Sequence, residues 1–199
     1  MQRLLWLGLA VLLGWGALNG WQQRPLHPPP GVLAAHAPEQ VDLDDGALLR
    51  RGDTVLRTRA HIALTARVLS REDYRWDAGA SLAPTDLALG WGRMSDSSVL
   101  ESIDISQSSR FFYWHVSEFP IPRREIERSA SNMHLIPADD GVRRALKRVR
   151  RGELVHIEGF LVDASRPDGW HWRSSLSRDD TGDGACELVY VEELEAVAP

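Results

Sequence analysis

The chain has 199 residues, with 23 Lys and Arg against 28 Asp and Glu and a formal charge of −5. That length holds one ordinary domain plus a targeting or tethering segment, and the acidic balance argues against general nucleic-acid binding, which needs a basic face to displace counterions from phosphates. The single cysteine, Cys186, excludes an intramolecular disulfide, and with few, scattered histidines and no CxxC pair the chain has no zinc spacing and no expected cofactor.

Residues 4–21, LLWLGLAVLLGWGALNGW, run for 18 positions without a charge, behind the amino terminus and Arg3. At a helical rise this spans roughly 27 Å, close to the hydrocarbon thickness of a bilayer. It is expected to be a transmembrane anchor; a cleaved secretory signal is the alternative, although the nearest small-x-small site, Ala35-His36-Ala37, lies far downstream. The flanking charges keep the N-terminus in the cytoplasm, so the bulk of the protein is expected in the periplasm, on the outer side of a bacterial inner membrane. Residues 22–52 then form a proline-rich linker and lead-in, in which Pro25, Pro28, Pro29, Pro30 and Pro38 exclude regular helix and predict an extended spacer.

The folded domain is expected over 53–199. From Leu56 to Val68 the even positions are mostly apolar while Arg57, Arg59, His61 and Arg67 take odd ones, the period of a long first strand that must curl. Leu87, Leu89 and Trp91 predict a second strand, and Arg110 to Val116, RFFYWHV, a third, apolar on both sides. Residues 137–164 carry the clearest pattern. Asp139 or Asp140 caps a helix; Val142, Ala145, Leu146 and Val149 form one apolar stripe; Arg150, Arg151 and Gly152 close it. Val155, Ile157 and Leu161 then alternate as a fourth strand. Pro167-Asp168-Gly169 turns the chain into Trp170-His171-Trp172, and Cys186 to Glu193 forms a last strand. Strands with a capped helix between the third and fourth resemble the OB-fold, which predicts a mainly β protein built on a small OB-like β-barrel. Ala66-Arg67-Val68-Leu69-Ser70, Leu87-Ala88-Leu89-Gly90-Trp91-Gly92, Met94-Ser95-Asp96, Asn132-Met133-His134-Leu135-Ile136-Pro137 and Gly182-Asp183-Gly184-Ala185-Cys186-Glu187 are also similar to segments of a group of uncharacterised bacterial membrane-anchored proteins; that resemblance implies the anchor and no activity.

Trp91, Trp114, Trp170 and Trp172 could stack on sugars or on a partner's apolar groups, with Asn132 and His134 supplying polar contacts, unless they fill the core. Arg143, Arg144, Lys147, Arg148 and Arg151, with Arg150, form a basic helix face that suits an anionic membrane surface or ordinary solvation. Cys186 with His134 or His171 offers a thiolate and a base. Ser174, Ser175 and Ser177 lack a GxSxG elbow. Asp179-Asp180-Thr181-Gly182-Asp183-Gly184 begins like a calcium loop, with Asp179 and Asp183 as metal ligands, but its twelfth position is Tyr190 instead of glutamate. The arginine-and-acid signature of staphylococcal-type nucleases, which share the OB architecture, is missing. The expected role is a non-catalytic, membrane-tethered module binding an envelope protein or surface polymer. The alternative is an envelope hydrolase, nuclease-like or Cys/His-dependent.

Overall fold

A computed structural model describes residues 24–177 and 185–198, together with Trp6. The expected anchor over 4–21 therefore lies, Trp6 apart, outside the described residues, as do Asp179 and Asp183. Among the described residues no helix is long and apolar enough to cross a membrane.

The protein is mainly β. Along the chain come β1 (Glu39–Asp42), β2 (Leu48–Arg51), β3 (Thr54–Asp73), β4 (Thr85–Gly90), a 3₁₀ turn (Gly92–Ser95), α1 (Ser97–Leu100), β5 (Asp104–Ser108), β6 (Phe111–His115), α2 (Arg123–Arg128), β7 (Ala130–Pro137), α3 (Asp140–Arg148), β8 (Leu154–Ser165), β9 (His171–Trp172) and β10 (Glu187–Val197). Five strands close on themselves in the order β3–β4–β7–β10–β8 and back to β3. Only the β7–β10 pairing in that ring is parallel. Strands β1 and β2 add to β3, and β9 to the end of β8.

The ring closes because β3 is 20 residues long and bulged twice, between Thr58 and Ala60 and between Val68 and Ser70. A bulge adds twist and reverses which face the following side chains take. Thus Ala60, Ile62, Leu64, Ala66 and Val68 fill the ring, whereas Leu56, before the first bulge, packs outside it with Ile136, Val162 and Leu188.

Helix α3 stops one end of the ring. The Asp139 carboxylate accepts from Val142 N at 2.8 Å, and Val142, Leu146 and Val149 join the interior cluster with Ile62, Leu135 and Val191. The helix ends at Arg148, before the expected basic terminus. Gly152 does take the left-handed conformation (φ +85°), but in the corner leading to β8. There an added Cβ would stand 2.0 Å from the Leu26 carbonyl oxygen, so the close approach of the two backbones requires glycine.

Two expectations need correction. The third strand of the ring is β7, not the aromatic Arg110–Val116 segment, whose strand β6 pairs only with β5 in a separate hairpin. Strand β7 alternates only over Asn132 to Leu135, too short a run to stand out, and both of its faces are covered. The linker, for its part, is extended but docked: Leu26 N donates to Arg151 O, Leu33 N and Ala34 N donate to Ser95 Oγ, and Ala34 is 3% exposed within the core.

Candidate functional site

Inward-facing Leu87, Leu89, Met133 and Leu135 oblige their neighbours Asp86, Ala88, Asn132 and His134 to point out of the ring. That outer surface is nevertheless buried, under the β5–β6 hairpin and β9. Asp86 is fully buried and His134 is 2% exposed. The two residues are directly opposed across β4 and β7, with Asp86 Oδ2 2.8 Å from His134 Nδ1.

Arg110 meets the other carboxylate oxygen: Nη1 donates to Asp86 Oδ1 at 2.6 Å and to the Ala83 carbonyl at 2.9 Å. Nη2 reaches both oxygens of Asp77 at 2.9 and 3.0 Å. The guanidinium lies 3.7 Å from the Tyr74 ring centroid and 5.3 Å from that of Trp172. Burial works against the Asp77 carboxylate, but its bond to Arg110 and the amides of Gly79 and Ala80 together hold its pKa below the ordinary aspartate range. Burial likewise pushes the Tyr74 phenol up.

Arg110 arrives there at a conformational cost. Ser109 and Arg110 form the two-residue turn of the β5–β6 hairpin, with φ of 52° and 72°. Both positions of such a turn favour Asn or Gly. The strain is held from two sides: Arg110 N donates to the Tyr74 hydroxyl at 2.9 Å, and Asn132 Nδ2 donates to the Arg110 carbonyl at 2.9 Å.

A cleft of about 510 Å³ opens beside this network, lined by Arg110, Phe111, His134, His171, Trp172, Arg173 and Cys186. His134, His171 and Cys186, far apart in sequence, thus share one cleft. The Trp172 ring leans on His134 with centroids 4.6 Å apart and planes inclined by 47°, and Gly79 lies beneath it, where a Cβ would come within 2.5 Å of the indole. His171 is exposed, its Nδ1 3.3 Å from Gly169 O. Cys186 Sγ lies 3.8 Å from both the Arg110 carbonyl and Asn132 Nδ2.

The remaining predicted residues scatter. Trp91 is 3% exposed and fills the ring interior, so it offers no ring to a ligand. Trp114 lies on β6 against Phe119, beside a different cleft. Trp170 packs edge-on to Trp172 under the Arg166 guanidinium. Asn132 is spent on Gln107 and Arg110, which makes it wall more than contact. Ser174 and Ser175 hydroxyls bond nearby backbone groups, and among the described residues no three His, Cys, Asp or Glu side chains are grouped to hold a metal. The basic face is exposed at Arg143, Arg144, Lys147, Arg148 and Arg151, with Arg143 3.6 Å from Asp140.

Sequence reasoning missed Asp86, Arg110, Asp77 and Tyr74. The available signal was Asp86 itself, a carboxylate next to the apolar run Leu87-Ala88-Leu89 of a strand that begins at Thr85. The chain matches no protein-family model, no curated protein and no solved structure.

Proposed function

We propose that this protein is a membrane-tethered, extracytoplasmic binding module on an OB-like barrel, and that its cleft takes an anionic segment of a surface polymer. One observation carries this: exposed His171 and Arg173 stand at a single cleft whose wall is the Trp172 ring, with Arg110 and His134, held by Asp77 and Asp86, forming its floor. Guanidinium and imidazole N–H groups donate to phosphate or carboxylate oxygens, while an indole face stacks on a sugar ring. The ring order with a parallel third and fifth strand, and a helix between the third and fourth, supports the OB reading.

The test is tryptophan emission of the full chain in detergent, titrated with glucose 1-phosphate and with glucose. Saturable change with the sugar phosphate only, weakened fivefold or more by Arg173→Ala, is the expected result. Equal response to both sugars, or none, would remove the proposal.

A hydrolase is the second reading, favoured by the buried Asp86–His134 pair beside Cys186. Nucleophilic catalysis pairs a thiol with an imidazole beside a carboxylate, and Cys186 shares its cleft with His134, whose Nδ1 is 2.8 Å from Asp86. Polymer cleavage abolished alike by Cys186→Ala and His134→Ala would put this reading in place of simple binding.

A further inference from the structure

A second and larger cleft, of about 780 Å³, lies at the C-terminal end of α3. Arg24, Lys147, Arg148 and Arg150 line it, facing the carboxylates of Glu153 and Glu195. Four cations against two anions leave a surplus of two positive charges. Glu153 is already engaged, accepting from Arg150 N at 2.8 Å. Apolar side chains, among them Leu26, Val149 and Leu194, complete the walls.

The position of this cleft follows from the docked linker. Leu26 N donates to Arg151 O at 2.8 Å, and Gly152 lets the two backbones touch, so the start of the described chain is pinned at the cleft. Only three residue steps separate Arg24 from Trp21, the end of the uncharged apolar run. Three steps of chain reach at most about 11 Å. The headgroup layer on each side of a bilayer is roughly 5–8 Å deep. With the apolar run in lipid, the linker therefore cannot hold the domain away from the membrane, and the cleft sits at headgroup depth.

We infer that this cleft is a binding site for the phosphate of an anionic phospholipid headgroup, with Arg24 and Arg148 around the phosphate, Arg150 held back by Glu153, and the apolar wall against the first acyl carbons. Guanidinium groups donate charge-assisted, paired hydrogen bonds to phosphate oxygens, and Leu26, Val149 and Leu194 give the adjoining acyl carbons an apolar wall. The inference rests on the tethered reading above, and the two fail separately.

The full chain is mixed with vesicles of phosphatidylcholine, or of phosphatidylcholine with about a third phosphatidylglycerol, an anionic fraction large enough to set a surface potential. Flotation reads the tether, and hydrogen exchange over residues 24–26 and 147–152 reads the cleft. Flotation with both compositions, and exchange slowed at least fivefold only with phosphatidylglycerol, is expected. Arg24→Glu with Arg148→Glu, both exposed positions, should abolish that slowing while preserving flotation and the unfolding midpoint. Flotation with identical exchange on both vesicles overturns the site and leaves the tether standing. Flotation with the anionic vesicles alone overturns the tether, and there slowed exchange over residues 24–26 and 147–152 keeps the site while unchanged exchange overturns it; flotation with neither overturns both. Equal slowing by soluble glycerol phosphate on neutral vesicles would overturn the lipid assignment in favour of free phosphate.

Discussion

Removing the Arg110 side chain tests the network on which the first cleft is built. Arg110→Ala leaves the Asp86 carboxylate, fully buried, with His134 alone. Breaking a buried pair from one side costs about 3–5 kcal/mol. The Asp77 contact, to a partner whose side chain is 39% exposed, adds at most about 1 kcal/mol. A loss of about 4 kcal/mol follows, and at about 2 kcal/mol per molar urea it lowers the unfolding midpoint by ~2 M. The backbone offers an internal control. Alanine keeps the strained φ of 72°, whereas Arg110→Gly releases it. Steric relief of about 1–2 kcal/mol, less about 0.5–1 kcal/mol for the added freedom of glycine when unfolded, leaves the Gly variant ahead of Ala by roughly 0.7 kcal/mol. The side-chain partner is checked by a cycle with Asp86→Asn, which should show coupling of about 2 kcal/mol or more. The assay is equilibrium urea denaturation of the full chain in mild detergent, followed by tryptophan emission and circular dichroism. A cost below about 1 kcal/mol for Arg110→Ala would refute the buried-pair argument. A Gly variant less stable than Ala would refute the strained turn.

Two further outcomes are expected. Leu146→Ala, at a side chain 2% exposed in the ring's interior cluster, should destabilise by about 3 kcal/mol with an unchanged far-ultraviolet spectrum; a loss under about 1 kcal/mol would mean that α3 does not plug the ring. The Asp77 carboxylate, whose folded pKa is depressed, contributes stability above the unfolded value near pH ~4 and loses it as pH falls through the lower folded value. Thermal unfolding of wild type and Asp77→Asn should therefore converge on acidification from pH ~6 to below ~3; a constant difference would show that the ionised carboxylate contributes nothing.

By itself, the sequence determined what is local. The cap at Asp139, the stripe of Val142, Leu146 and Val149, and the even-numbered apolar positions of β3 are set by neighbours three or four residues away, or two, and each is found in the folded chain. Nothing local distinguishes Leu56 from Ile62, which share a parity. Only pairing with β8, where the register shifts between Thr58 and Ala60, puts one outside the ring and the other within it. For the same reason the richest aromatic run, in β6, became a covering hairpin, while Ala130 to Pro137, which alternates only from Asn132 to Leu135, became the ring's third strand. The first cleft belongs wholly to this second kind of information. Asp86 and His134 meet because β4 pairs with β7 in one register out of several that their compositions allow, and Arg110 reaches them because a hairpin from another sheet folds over that face. Residue type could nominate His134, His171, Trp172 and Cys186, but placing them around one volume took contacts between strands far apart in the chain, whose registers no short-range pattern encodes.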